Sequence, residues 1–373
     1  MQLNLMMQSG NVYKYLDKIQ GGFWSCKKLL TYGRPWNFVT GSRSVGKSTN
    51  IGAFFILDFI LNGHKFIYSR RTKDETLLTC QSFFGNPVKI INDNTDIHIH
   101  ALIYEGGEYF IQYEEDGPKI QCGCTIPLSL EQKYKSANFS EYCNLVFDEF
   151  ICQDSTRYLG NKNTPDREYR AVLSLYQTID RGIDRPFRNE TRFFFLGNTA
   201  TIYNPLFLSI GISAYIDEKA RFIAPKGKLW ILERIETVEA LNQMATSFAY
   251  LLADEEGRNY AFKNKGTDTE DYIKKPPANN KIYICTLVRN GYKYGVWCDR
   301  NYTDYYIADY KDIGREIISL DVESHKENDL LLITKWQDYP IIKTLLYKFK
   351  RNHLFYGNGK AKQEFYKYFN LMP

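Results

Sequence analysis

One octapeptide, Gly41-Ser42-Arg43-Ser44-Val45-Gly46-Lys47-Ser48, constrains this chain more than any other stretch. Its spacing matches a loop whose backbone N–H groups wrap a polyphosphate at the start of a helix. Such a loop works only between a strand and a helix, and the flanking residues predict both. Trp36 to Thr40 (WNFVT) reads as a short buried strand. Ile51, Phe54, Phe55, Leu57 and Leu61 suit a mostly buried helix, with Asn62 and Gly63 as its stop. A second strand spans Phe66 to Ser69. Strand, phosphate loop, helix and strand form the first unit of a parallel α/β sheet.

Beyond this unit the pattern changes. From Asp96 to Ile126, short alternating runs are broken at Glu105-Gly106-Gly107 and Glu115-Asp116-Gly117, which predicts an inserted antiparallel meander. Compact apolar runs at Leu145 to Phe147 and Arg192 to Gly197 return to the pattern of central parallel strands, separated by a polar, Arg-rich stretch. The charge-mixed segment after Leu229 reads as helical and leads to Lys274-Lys275-Pro276-Pro277, a natural boundary. The expected domains are therefore 1–228, a helical linker over 229–273, and 274–373. The last opens with three alternating strands, an Asn290-Gly291 hairpin and a turn at Asp299 to Asn301, and closes with helices near Ile341 to Lys350 and Ala361 to Phe369.

Composition narrows the class without naming a partner. A length of 373 residues exceeds what one core usually organises, and 44% hydrophobic with 24% charged residues is a globular balance. The net charge of +5 permits a polyanionic partner without requiring one. Eight scattered Cys with no CxxC pair fit a reducing compartment. Neither an export signal nor a membrane-length apolar run is evident, so a soluble protein with no membrane partner is expected.

The chemistry follows from the loop. Lys47 would reach the β- and γ-phosphates, and Ser48 would offer a hydroxyl to Mg²⁺, with Thr49 next in line. The second half of such a site is an apolar strand ending in carboxylates, which Asn144-Leu145-Val146-Phe147-Asp148-Glu149 supplies. Asp148 would hold the Mg²⁺ and Glu149 would polarise the attacking water, which argues for ATP hydrolysis over passive binding. Asn198, after the run RFFFLG, sits where a polar side chain could touch the γ-phosphate, or could simply end a strand. An arginine delivered between subunits would complete a multimeric motor, and Arg181, Arg185 and Arg188 lie in the right polar region.

In their order and spacing, NFVTGSRSVGKS, FIYSRRTKDE, Lys135-Ser136 before NLVFDEFI, and LGNTATIYNPLF resemble the DNA-packaging ATPases of small short-tailed phages. That family is a terminase-like branch of the additional-strand P-loop ATPases. The resemblance implies an α/β P-loop domain with an inserted β-meander, followed by a small α+β RNase H-like domain. It also implies Lys47 and Ser48 at the phosphates and metal, Asp148 on Mg²⁺ and Glu149 as base. Arg181 is the nearest match to a trans-acting arginine, with Arg185 and Arg188 as alternatives, and Lys135 resembles a second basic residue given across subunits. Arg70 would lie near the nucleotide, and Arg71 and Lys73 near the DNA. The implied partners are double-stranded viral DNA, the portal vertex of a procapsid and further copies of the chain in a ring of five, in the host cytoplasm. Docking through protein alone or through a structural RNA stay as alternatives.

The first RNase H-like strand, Lys281 to Arg289, contains no Asp or Glu, whereas cleavage by that fold gathers several carboxylates around two metals. A domain that binds without cutting is expected. Two competing readings share the phosphate site: a helicase or recombination ATPase, and a portal adaptor that binds nucleotide without turnover.

Overall fold

The computed structural model describes residues 12–19, 24–152, 157–160, 166–181, 190–198, 204–215, 220–235, 272–322, 324–327, 329–331 and 339–370. The chain divides into two compact units, 1–200 with 220–267, and 201–219 with 268–373.

The first unit begins with the short helices α1 (Val12–Lys18) and α2 (Lys27–Leu30), followed by β1 (Trp36–Gly41), the phosphate loop and α3 (Lys47–Asn62). Helix α3 ends on Gly63, whose φ of 77° lets its N–H return to the Phe59 carbonyl at 2.8 Å, the stop read from the sequence. Next come β2 (Lys65–Ser69), α4 (Lys73–Phe83), α5 (Gly85–Asn94), and the strands β3 (Ala101–Glu105), β4 (Glu108–Gln112) and β5 (Ile120–Thr125). A 3₁₀ helix (Leu128–Tyr134), β6 (Tyr142–Asp148), α6 (Arg167–Asp180) and β7 (Arg192–Gly197) follow, and β8 (Phe222–Ile223) and β9 (Trp230–Ile235) complete the sheet.

Among the described residues, nine strands run in the order β3-β4-β5-β2-β6-β7-β1-β9-β8. From β5 to β9 all neighbours are parallel, while β3, β4 and β8 pair antiparallel. Strand β7 separates β1 from β6, so an additional strand lies between the phosphate-loop strand and the strand ending in Asp148. This is the additional-strand α/β arrangement, and the meander extends the same sheet at its edge.

Period-two alternation explains the Phe193-Phe194-Phe195 run. Phe193 and Phe195 stack on one face with Phe38 and Trp36, while Phe194 meets Phe54 and Phe55 of α3 on the other. Both faces are covered, so the central strands are buried along nearly their whole length instead of alternating between buried and exposed residues. At β5 the fit demands a glycine: a Cβ on Gly123 would lie 2.7 Å from the Phe66 main-chain oxygen.

Two features depart from the sequence reading. The first domain does not close at 228, because Trp230–Ile235 pairs parallel with β1 along its whole length. Glu233 and Arg234 gave this stretch the look of a helix surface. In fact Glu233 is fully buried, and Arg221 on β8's flank donates to its Oε1 at 2.9 and 2.7 Å. Second, residues 201–219 group with the second unit. The rest of the expected linker, 236–271, lies outside the described residues.

The second unit contains α7 (Pro205–Ile210), capped by Asn204, whose Oδ1 accepts from the Phe207 N–H at 2.9 Å, and a 3₁₀ turn (Ile212–Tyr215). Its strands are β10 (Lys281–Arg289), β11 (Tyr292–Asp299), β12 (Tyr305–Asp309), β13 (Ile317–Ser319), β14 (Leu330–Leu331) and β15 (Leu354–Tyr356), with helices α8 (Pro340–Lys350) and α9 (Gly359–Asn370). The order β14-β13-β10-β11-β12-β15, with β10, β11 and β12 antiparallel in turn and β13 and β14 parallel to β10, is that of an RNase H-like sheet carrying one extra edge strand. Asn290 (φ 50°) and Gly291 (φ 75°) form the expected hairpin turn, whose type needs positive φ at both positions. Leu287, Val296 and Ile307 pack with Ile342, Leu345 and Phe365 of the two helices.

Candidate active site

Because β1, β6 and β7 are parallel, their carboxyl ends emerge at one edge, where open parallel sheets bind ligands. There the phosphate loop, Asp148-Glu149 and Asn198 line a cleft of about 740 Å³. The loop turns through left-handed conformations at Ser44 (φ 63°) and Gly46 (φ 89°), the latter serving as N-cap of α3. Gly46 carries this φ without the cost a side chain would add. Thr49 also lines the cleft, Val45 and Ser42 are buried, and Arg43 is exposed at the mouth.

Lys47 is buried and lies back on its own loop, donating to the carbonyls of Gly41 at 2.8 Å and Ser42 at 2.7 Å and to Asn198 Oδ1 at 3.2 Å. Burial lowers its pKa to about 8, against the partial support of Asp148. An ammonium so placed is ready to exchange carbonyl partners for phosphate oxygens. Asn198 is thus brought into the site.

Ser48 Oγ stands 3.5 Å from Asp148 Oδ1. These are the hard oxygen donors that Mg²⁺ takes when one carboxylate and a hydroxyl share it with phosphates, and the residues present fit that ion. Burial raises the Asp148 pKa, with Arg70 pulling the other way.

Arg70 bridges both acidic residues: one guanidinium nitrogen is 3.1 Å from Asp148 Oδ2 and the other 2.8 Å from Glu149 Oε2. It therefore lies beside the cleft, bound to the two carboxylates that line it. Glu149 adopts a φ of 54°, an uncommon conformation for a non-glycine residue. The Phe150 N–H bonds the Leu196 carbonyl at 3.1 Å, which fixes the chain just after this turn.

Arg71 corrects an expectation. It is 2% exposed and forms a two-pronged ion pair with Glu168 of α6 at 2.7 and 2.9 Å, while also donating to the Phe150 carbonyl at 2.9 Å. A guanidinium enclosed in this way cannot face DNA. Lys73, by contrast, is exposed at the start of α4. Sequence reasoning passed over the helix itself, although Thr72 and Glu75 make a capping box, with both bonds at 3.3 Å.

The residues expected to act between subunits sit together, outside the cleft lining. Arg181 follows α6, is exposed, and donates to the Lys135 carbonyl, and Lys135 is exposed too. Arg185 and Arg188 lie outside the described residues. The sequence reading missed Asn86, Lys89 and Ile90 of α5, which line the cleft. Their spacing of three and four was the available signal, but no helix had been read there.

No helix among the described residues is long and apolar enough to cross a membrane. A family model described as podovirus DNA encapsidation protein (Gp16) matches residues 17–372. The chain is 29% identical over 357 residues to the DNA packaging protein of Bacillus phage phi29, covering 94% of this chain and 98% of that one. It is similar to a solved structure of the bacteriophage Phi-29 viral genome packaging motor assembly, with a TM-score of 0.63, 26% identity, and 94% and 99% coverage of the two chains. A Phi-28 gp11 DNA packaging motor shares the fold, with a TM-score of 0.60, 20% identity, and 95% and 99% coverage.

Proposed function

The chain belongs to the podovirus DNA encapsidation protein (Gp16) family, and on that premise we propose that it hydrolyses ATP to drive double-stranded viral DNA through a portal into a preformed procapsid. The observation that carries this reading is the convergence of Lys47, Ser48, Asp148, Glu149 and Asn198 on one cleft at the carboxyl edge of the sheet.

The loop N–H groups and Lys47 bind the triphosphate tail, and Ser48 and Asp148 hold Mg²⁺, which when bound offsets phosphate charge. Asn198, already bonded to Lys47, is placed to follow the γ-phosphate. Glu149 orients and deprotonates the attacking water. With one oxygen on Arg70, Glu149 is not free to do so fully, so turnover requires Arg70 to shift. Arg181 acts in trans on the developing charge, with Lys135 beside it and with Arg185 or Arg188 as substitutes. Lys73 touches DNA phosphates without reading sequence.

The protein works as a ring of its own copies, five by the family resemblance, at the portal vertex in the host cytoplasm, docked directly or through a structural RNA. The second unit binds DNA or the portal without cutting, a reading that rests on the lack of Asp or Glu in the β10 sequence Lys281 to Arg289.

The test is ATPase rate with and without double-stranded DNA, measured alongside particle mass. Turnover stimulated by duplex in a ring is expected. Absence of turnover in both conditions would leave the adaptor reading, and ATP-dependent strand separation would favour a helicase.

A further inference from the structure

The cleft residues assigned so far, from the phosphate loop through Thr49 to Asp148, Glu149 and Asn198, account for the phosphates, the metal and the water. The same cleft is also lined by Asn86, Lys89 and Ile90 of α5, to which no role has been given. Positions 86, 89 and 90 stand at the i, i+3 and i+4 spacing that puts side chains on one helical face. The other face, Pro87 and Ile91, is buried. Pro87 lies so close to α3 that a Cβ on Gly52 would be 2.7 Å from its Cγ. Helix α5 is thereby held at a set distance from the helix that begins at the phosphate loop.

Asn86 and Lys89 are exposed, and neither side chain has a hydrogen bond or ion pair with another described residue. Ile90 is half-buried, with its apolar surface partly packed on the core beneath. A polar amide, a cation and an aliphatic surface in one row, in a cleft of about 740 Å³, match the parts of a nucleotide that the loop leaves unheld.

We infer that the α5 face is the platform for the nucleoside end of ATP, supplied in cis. Ile90 packs on the base, Asn86 bonds the polar edge of the base or the ribose, and Lys89 lies nearest the α-phosphate. This inference rests on the reading of the cleft as an ATP site, and the experiment separates the two.

Full-length protein is titrated with a fluorescent ATP analogue, which is then displaced by ATP or by Mg²⁺-tripolyphosphate, a ligand with no nucleoside. Ile90→Ser and Asn86→Ala are expected to weaken ATP about tenfold or more, while tripolyphosphate affinity stays within about twofold of the parent. Asn86 is exposed, so its variant keeps the test available should Ile90→Ser fail to fold. For Asn86→Ala, the preference for ATP over GTP should also narrow. Unchanged ATP affinity in the variants, with tripolyphosphate still bound, overturns the platform and spares the phosphate site. An equal loss for both ligands also overturns it, because α5 would then act through its packing on α3. If the parent protein binds neither ligand, the ATP-site reading falls and the platform with it.

Discussion

Removing Glu168 tests how the carboxylate pair is held. Arg71 and Glu168 have side chains 3% and 0% exposed, and two short bonds join them. The guanidinium also lies over the rings of Phe147 and Tyr158, with centroids at 5.3 and 5.0 Å. Glu168→Ala strands a buried cation, for which the expected loss is about 3–5 kcal/mol. That corresponds to two to four decades in the local opening equilibrium, on the order of one decade per 1.4 kcal/mol. The double variant Arg71→Met/Glu168→Leu leaves no charge behind and should lose less than Glu168→Ala alone.

Hydrogen exchange of β6 and α6 amides is the assay, because it reads the first unit locally and does not depend on a two-state transition of the whole chain. Arg71 also supports the Phe150 carbonyl, and at 3.4 Å that of Glu149, so Glu168→Ala should lower kcat along with protection. The reasoning is refuted if Arg71→Ala keeps full protection and turnover yet reduces DNA affinity and lowers the salt dependence by about one phosphate contact, since a residue doing so would face DNA.

Glu149→Gln should retain ATP within a few-fold and lose about 10²–10⁴ in kcat, the range for a general base, in a coupled phosphate-release assay. Lys47 in the free protein titrates at about 8 against an ordinary 10.5, so the folded chain sheds this proton before the unfolded chain does. Stability from this group therefore rises with pH above about 8. ATP affinity, which needs the ammonium, should instead fall toward tenfold per pH unit, with proton uptake visible by calorimetry in two buffers. Gly123→Ala, forced against the Phe66 carbonyl, should destabilise the meander edge by about 1–3 kcal/mol and be seen first as faster exchange in β4 and β5. Mixing Arg181→Ala with Lys47→Ala subunits should recover some turnover if the arginine acts in trans, and an absence of rescue at every ratio would sink that assignment.

Residues adjacent in the chain carried their information openly. The loop from Gly41 to Ser48 must join a strand to a helix, Asp148-Glu149 must end an apolar strand, and Asn290-Gly291 must turn a hairpin, because each rests on local dihedral preferences and short-range pattern. Sequence alone therefore determined the strand, loop and helix around Gly41 to Ser48, the meander, and the α/β and α+β character of the two sheets.

What tertiary structure decided were pairings between distant residues, whose meaning depends on enclosure. Arg70 and Arg71 are chain neighbours of the same chemical type, and nothing local tells them apart. Strand geometry sends one to Asp148 and Glu149 and the other to Glu168. Glu233 read as a helix surface until Arg221 and the packing around β9 made it the buried residue of a strand. The left-handed turn at Glu149 and the face of α5 beside the phosphate loop likewise exist only once β6, β7 and α3 are assembled. A charge acquires its role from the solvent it loses and the partner it gains, and both are set by the fold.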